Sequence, residues 1–426
     1  MQKFLARQPI FDSHRIVFGY ELLFRSSIEN FFPNAQPDVA AASTADNLFL
    51  FGAEQLTHGH RAFINCTREF IVRDFPALLP KDRVVIEILE NAQIDEQLVT
   101  ACRNLKRAGY LFALDDFCDA PHWQPLLPFI DFIKVDVLAT LPDEQFRLAK
   151  KFEKTGIRLV AEKVEDYDVF ERTLCWGYTY FQGYFFSRPQ MLTRHDIPAN
   201  KLSYLLVLQA ANRARIDLDE VAERIKAETS LSYRLLRYLN SPVFALISDV
   251  HSIPHALALL GERGVRKWIS LIAIAAMGGD KPQELLVLPL IRARFCELLA
   301  PWARLHSAAD DLFLLGLLSS IDAILDMTME NVLKEIVLGR QLHDALLGQS
   351  NQLRQVLDIA VLYETGSWDK LEEAAARLRI DPKLLPDRFI EAVGWAQRIL
   401  TGQRAEESSE GETEVRTLAD STGEPA

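Results

Sequence analysis

Two adjacent carboxylates, Asp115-Asp116, end the apolar run Tyr110-Leu-Phe-Ala-Leu114. A short β-type run that stops on two acids carries them past the strand end, where barrel and α/β enzymes keep their chemistry. The arrangement recurs along the first half of the chain. Glu21 follows Val17-Phe-Gly-Tyr20, Asn65 follows Arg61-Ala-Phe-Ile64, and Glu87 and Glu90 lie in Val84-Val-Ile-Glu-Ile-Leu-Glu90. Lys134 and Asp136 lie in Phe132-Ile-Lys-Val-Asp136, Glu162 and Glu165 follow Arg158-Leu-Val-Ala161, and Gln182 follows Tyr178-Thr-Tyr-Phe181. Carboxylate and amide oxygens are hard donors suited to Mg²⁺ or Mn²⁺. The pattern is that of a divalent-metal site gathered at one rim of a barrel. A solvated strand end is the plain alternative for Asp115-Asp116, and a simple ion pair for Lys134 with Asp136.

The elements that must position these groups alternate. Gln93 to Ala108 places Ile94, Leu98, Ala101, Cys102 and Leu105 on one helical face, with Gly109 as its stop. Leu111 to Leu114 reads as the next strand, Asp143 to Thr155 as a helix stopped by Gly156, and Arg158 to Ala161 as the strand after it. Repeated strand-helix-strand units predict a parallel sheet, closed into a barrel or left open and doubly wound. The polar break Arg194 to Lys201 ends this pattern. Beyond it, Asp217 with Glu220 suggests a capping box, and Leu231 to Leu239 reads as a helix. Ser252-Ile-Pro opens a helix that Gly261 should end, before Val265 to Met277. Short helices with brief loops predict an all-α helical bundle. The expected division is residues 1–195, residues 196–403, and a disordered acidic C-terminal tail at 404–426. That tail has no aromatic residue to bury.

At 426 residues the chain is long enough for two folded units. A net charge of −12 argues against a nucleic-acid partner, whose backbone demands clustered Lys and Arg. Five widely spaced cysteines (Cys66, Cys102, Cys118, Cys175, Cys296) form neither a zinc motif nor a disulfide framework. The start lacks a signal-peptide core, and the apolar run near Trp268 to Met277 is too short to cross a membrane. A cytoplasmic protein with no membrane partner is expected.

In order along the chain, Glu21-Leu-Leu-Phe-Arg25, Phe63-Ile-Asn65, Ile86-Glu-Ile-Leu-Glu90, Ala113-Leu-Asp-Asp-Phe117, Ile133-Lys-Val-Asp136, Val160-Ala-Glu-Lys-Val-Glu165 and Phe181-Gln-Gly-Tyr184 resemble the motifs of the EAL domain family. These are the cyclic di-GMP phosphodiesterases. The resemblance implies a modified TIM (β/α) barrel with one reversed strand. It also implies hydrolysis of cyclic di-GMP to linear pGpG with two Mg²⁺ or Mn²⁺ ions. Glu21, Asn65, Glu87 and Asp115 would hold the first ion, and Asp115, Asp116 and Glu162 the second. Lys134 would touch the attacking water, with Glu21 and Glu162 completing the catalytic set. Arg25 would grip a substrate phosphate, Gln8 and Asp136 would face the guanine or phosphate end, and Gln182 would close the far side. Glu90 and Glu165 would support the loops. Arg188 and His195 read as ordinary surface residues.

Residues 205–345 resemble the HDOD domains through Ser232-Tyr-Arg-Leu-Leu-Arg-Tyr-Leu-Asn-Ser-Pro242, His255-Ala-Leu-Ala-Leu-Leu-Gly261, Arg292-Ala-Arg-Phe-Cys-Glu-Leu-Leu-Ala300 and Leu314-Leu-Gly-Leu-Leu318. In catalytic relatives a His-Asp metal pair follows the last motif. Ser319-Ser320 stand there instead, and hydroxyls are poor substitutes for imidazole and carboxylate. The resemblance therefore implies a non-catalytic domain that binds a protein partner, in a homodimer. His343-Asp344 reads as a chance dipeptide.

Three departures bear on activity. Leu22 replaces the signature alanine, Phe117-Cys-Asp-Ala120 lacks the two glycines usual after the acid pair, and Lys163 replaces a glycine. The altered loop keeps a second function open, a catalytically impaired receptor or scaffold that signals through the helical half.

Overall fold

The computed structural model describes residues 3–26, 56–189, 199–213, 216–227, 231 and 252–401. Eight strands close into one barrel in chain order: β1 Lys3–Asp12, β2 Val17–Ser26, β3 Arg61–Cys66, β4 Val84–Ile88, β5 Leu111–Leu114, β6 Phe132–Asp136, β7 Arg158–Glu162 and β8 Tyr180–Gln182. β1 runs antiparallel to both neighbours, pairing Gln8 with Glu21 of β2 and Ile10 with Gln182 of β8, while β2 to β8 are mutually parallel. The closed form with a reversed first strand is therefore the correct choice between the two sheet alternatives.

The two-residue period of a strand explains the layering. Ile10, Phe63, Val85, Ala113, Phe132 and Val160 plug the barrel interior, and the Arg158 guanidinium lies 4.0 Å from the Phe132 ring centre. One step of two residues toward the C-terminal rim puts Asn65 above Phe63, Glu87 above Val85, Asp115 above Ala113, Lys134 above Phe132, Glu162 above Val160 and Gln182 above Tyr180. An apolar layer thus floors a polar one, and no side chain of that polar layer needs a special backbone to reach the axis.

The outer faces of the strands are covered by helices. After the short α1 (Arg68–Val72), α2 (Glu96–Arg107) buries Leu98, Cys102 and Leu105, with Asp95 accepting from the Leu98 N–H as its cap. Burying each such side chain contributes at most about 1.5–3 kcal/mol. α3 (Pro142–Phe152) buries Leu148 and Phe152, and α4 (Tyr167–Trp176) buries Phe170 and ends on Gly177 at φ 109°. No α-helix spans the β5–β6 link, which is made of two 3₁₀ turns. All five cysteines are free thiols.

The second half is helical: α5 Ala199–Ala211, α6 Leu218–Ala227, α7 Ile253–Met277, α8 Glu284–Leu299, α9 Ala309–Leu318, α10 Ile321–Leu325, α11 Met329–Glu335, α12 Arg340–Leu346, α13 Gln352–Glu364, α14 Trp368–Leu378 and α15 Leu385–Thr401. α8 is buried on nearly every side, with α9 and α15 packed on it. Gly316 of α9 makes the close approach possible, since a Cβ there would lie 2.5 Å from the Ala293 nitrogen of α8.

One helix-boundary expectation holds and another changes. Gly261, at φ 63° and ψ 170°, is non-helical and divides α7 into two helical segments that meet at a kink. Asp217 caps α6 by accepting from Asp219 and Glu220 N–H, yet the Glu220 carboxylate turns to Arg213 and Arg224 rather than closing a box. The stretch Ser232–Pro242, His195 and the tail at 404–426 lie outside the described residues. Among the described residues, no helix is long and apolar enough to cross a membrane.

A buried ionic joint links the halves. Arg7 of β1 lies over the Tyr20 ring at 4.5 Å and pairs with Glu284, the first residue of α8, at 3.5 Å. The Tyr20 hydroxyl donates to the same carboxylate at 2.9 Å. Burial raises the Glu284 pKa, against the pull of Arg7.

Candidate active site

At the C-terminal rim the Lys134 ammonium stands fully buried inside a ring of carboxylates. Asp115 lies 2.8 Å away, Glu162 2.9 Å, Glu87 3.0 Å and Glu21 3.2 Å. One cation against four carboxyl groups would leave three negative charges uncompensated if all were ionised, in a site with little access to water. That imbalance costs several kcal/mol per ion, so protons or further positive charge must enter. The titration of the groups reflects it. Burial pushes the Glu87 carboxyl well above its usual range, Lys134 opposes this, and the neighbouring acids add to it. Glu162 rises to about 8, for the same reason of burial against the pull of Lys134. Burial works against the charge of Lys134, but the four carboxylates outweigh it and hold the amine well above its ordinary value.

The amides complete the ring. Asn65 donates from Nδ2 to Glu21 Oε1 at 2.9 Å, and Gln182 donates from Nε2 to Glu21 Oε2 at 2.6 Å and to Gln8 Oε1 at 2.9 Å. Asn65 Oδ1, Gln182 Oε1 and both Glu87 oxygens are buried without a hydrogen-bond donor, Glu87 meeting Lys134 only as an ion pair. Buried acceptors left so are rare and call for a partner. Glu21, Glu87 and Asp115 each offer an oxygen within 4.8 Å of the others. A hard divalent cation fits this donor set, and Asn65 Oδ1 is the amide oxygen suited to join it.

Above the ring opens a cleft of about 340 Å³, lined among others by Gln8, Glu21, Asp115, Asp116, Glu162 and Gln182. Asp116 adopts φ 41°, and its carboxyl is raised by burial and by Asp115. The expected residues Glu21, Asn65, Glu87, Asp115, Lys134, Glu162, Gln8 and Gln182 are thus brought together.

Others are placed differently. Asp136 does not line the cleft. One carboxylate oxygen accepts from Leu138 and Ala139 N–H at 2.8 and 3.0 Å, and the other holds Lys163. Arg25 pairs with Phe4 along β1 and β2, but its side chain lies outside the described residues. Glu165 lies at the cleft edge in an ion pair with Arg188 at 2.9 Å. Glu90 is exposed, and among the described residues it makes no hydrogen bond or ion pair with the loop after Asp116. That loop is fixed by the burial of Phe117 beside Trp123 and by the pair of Asp119 with Lys151.

Sequence reasoning assigned no role to Leu23, Lys163, Gly183 or Tyr184, all of which line the cleft. For Tyr184 the signal was present, since it lies two residues beyond Gln182. Lys163 sits at φ 56° in the turn after β7. The adjoining Gly183, at φ 146°, is required by contact: a Cβ there would stand 2.1 Å from the Val164 carbonyl oxygen.

In the helical half, Ser319 and Ser320 surround a guanidinium. Arg292 donates from Nη1 to both hydroxyls at 3.1 and 3.2 Å, and from Nε and Nη2 to Glu364 at 2.8 and 2.9 Å. An arginine thus lies against Ser319 and Ser320, the residues that follow the Leu314–Leu318 motif. His343 and Asp344 lie on the short α12, partly exposed and 3.4 Å apart.

Models of two families match the chain, the EAL domain over residues 52–189 and the HDOD domain over residues 197–353. The uncharacterized protein YuxH of Bacillus subtilis is 34% identical over 94% of this chain and 99% of its own length. The cyclic di-GMP phosphodiesterase CdgJ of Vibrio cholerae is 31% identical over 93% of each chain. Among solved structures, a complex of Klebsiella pneumoniae BlrP1 aligns with 44% of this chain and 56% of its own, at 24% identity and a TM-score of 0.37. Matches along nearly the whole length, across both halves, decide the family: the chain belongs to the proteins that join an EAL domain to an HDOD domain.

Proposed function

We propose that the barrel hydrolyses cyclic di-GMP to linear pGpG with two divalent cations, Mg²⁺ or Mn²⁺. The observation that carries this reading is the ring of four carboxyl groups on Lys134, with its excess of acids over cations and its orphaned acceptor oxygens. The kinship with CdgJ supports the choice of substrate. Divalent cations would neutralise the phosphodiester oxygens and make an attacking water acidic at neutral pH. Glu21, Asn65, Glu87 and Asp115 would hold one, and Asp115, Asp116 and Glu162 the other.

The residues of the chain do the rest. Lys134 sits at the centre of the carboxylates, where its ammonium orients an attacking water and favours its deprotonated form. Glu21 is fixed by Asn65 and Gln182, so its carboxylate cannot rotate away from the axis. Gln8 and Gln182 hold the face of the cleft where a guanine or phosphate would rest, and the family resemblance supports a phosphate contact for Arg25, further along β2. In the helical half, Arg292 and the serines serve packing, and the family resemblance supports a protein partner and a homodimer in the cytoplasm.

The test is hydrolysis of cyclic di-GMP by the purified chain with Mg²⁺ or Mn²⁺. Turnover to the linear dinucleotide, abolished by Glu21→Ala, is expected. Tight binding without turnover would support the second reading, a receptor. That reading is favoured by the loop after Asp116, which Phe117 and the Asp119–Lys151 pair tie down without the usual glycines.

A further inference from the structure

We propose that the turn Glu364-Thr365-Gly366 of the helical half backs the wall of the cleft and positions Gln8, Leu23 and Tyr184 for a cyclic dinucleotide. Three consecutive residues of one half buttress three cleft-lining residues from three places in the barrel wall. The Tyr184 hydroxyl donates to the Glu364 carbonyl at 3.3 Å, and Gln8 donates from Nε2 to the Thr365 carbonyl at 3.4 Å. Gly366, at φ 66°, lies so near β2 that a Cβ there would stand 2.9 Å from Leu23 Cδ1.

Helix chemistry explains why these contacts form. The last carbonyls of a helix have no partner within it, and they need donors from elsewhere. α13 ends at Glu364; the N–H groups of Thr365, Ser367 and Gly366 serve the carbonyls of Val361, Leu362 and Tyr363, and the barrel supplies the donors for the carbonyls of Glu364 and Thr365. The contact also has a direction. A carbonyl only accepts, so the Gln8 amide must turn its NH₂ to Thr365 and its oxygen to Gln182. Gln182 must then offer its own NH₂ to Gln8 Oε1 and Glu21 Oε2, at 2.9 and 2.6 Å. The turn thereby sets the orientation of two amides down to a carboxylate of the ring. Its own place is fixed from the centre of the helical half, where Arg292 grips the Glu364 carboxylate with two parallel bonds.

Binding in the cleft and packing at this turn are then one coupled equilibrium, and the coupling must act in both directions. The inference rests on the proposed substrate. It is tested on the full chain by amide hydrogen exchange with and without cyclic di-GMP, in Ca²⁺, a hard oxygen-seeking cation chosen to slow turnover. Ligand should slow exchange at residues 180–188 of the barrel and also at 361–368. Protection of 180–188 with no change at 361–368 overturns the inference and leaves the function intact. No protection at either segment overturns the functional reading and this inference with it. A second measurement uses Gly366→Ala, whose Cβ presses on Leu23. The strained φ will lower the melting temperature by a few degrees. At an assay temperature where circular dichroism shows the variant fully folded, affinity for cyclic di-GMP should fall about tenfold, and an unchanged affinity there would overturn the proposal.

Discussion

Lys134 and Glu87 meet at 3.0 Å in the barrel axis, both wholly buried, and neither Glu87 oxygen accepts a hydrogen bond. The pair is held by charge alone on that side. Removing one member of a buried ion pair strands the other, which typically costs about 3–5 kcal/mol. Lys134→Met should therefore lower stability by about that amount without divalent cations, and much of the loss should return when Mg²⁺ is added. Thermal melts of both proteins with and without the ion check this. Equal melting temperatures in the absence of the ion would show that the ring does not need its lysine.

A pH dependence follows from the same ring. Glu162 titrates at about 8 in the fold against 4.5 for the ordinary side chain, so between these values the folded state holds a proton that the unfolded chain has released. Stability of the metal-free protein should then fall as pH rises from 4.5 toward 8. Cation binding requires the ionised carboxylate and expels that proton. Apparent affinity for Mg²⁺ should accordingly weaken as pH falls below about 8, by up to about tenfold per unit for each proton displaced. Calorimetric titrations at pH 6, 7 and 8 decide it, and a flat affinity would count against Glu162 as a ligand.

Much of this site could be read from the sequence because strand periodicity is local. Asn65, Asp115, Glu162 and Gln182 each end a short apolar run, Glu87 and Lys134 lie inside one, and a period of two places all six in one layer above Phe63, Val85, Ala113, Phe132, Val160 and Tyr180. The stop of α2 was legible in Gly109, but its start was not: the helical pattern begins at Gln93, whereas Asp95 caps the helix and Glu96 opens it. Contacts made across long separations were not legible either. Tyr20 and Arg7 reach Glu284 across 264 and 277 residues of sequence, and nothing near either end announces the partner. Asp136 misled for a related reason: it alternates in register with Lys134, but nearby N–H groups and Lys163 claim both its oxygens.

Arg292 offers a test of the helical half. Its guanidinium binds Glu364 through two bonds, at 2.8 and 2.9 Å, with both side chains almost wholly buried. Arg292→Ala would leave Glu364 buried and unpaired, at a cost of about 3–5 kcal/mol. The double variant with Glu364→Gln should recover part of that loss, because the stranded charge is gone. Urea denaturation of the single and double variants measures the coupling. Additive losses would mean that the pair contributes nothing beyond its separate side chains.

The turn at Lys163 sets two conformational effects against each other. At φ 56° a lysine sits in the left-handed region, where a side chain costs about 1–2 kcal/mol and glycine pays no such penalty. Its ammonium recovers part of this from Asp136, in a half-exposed pair whose worth solvent keeps small. The turn cannot relax, because the Val164 N–H donates to the Gln182 carbonyl at 3.0 Å while the Val164 carbonyl accepts from Phe185 at 3.1 Å. Lys163→Gly should thus leave stability within about 1 kcal/mol of the parent, whereas Lys163→Ala keeps the strain, loses the ion pair and should be the less stable of the two. Lys163 is also a cationic group on the cleft wall, amid Glu21, Asp115, Asp116, Glu162 and Glu165. Both variants should therefore raise the KM for an anionic dinucleotide several-fold, and Lys163→Arg should restore it. Denaturation curves and initial rates on the three proteins separate the two effects: strain follows the Cβ, and substrate affinity follows the charge.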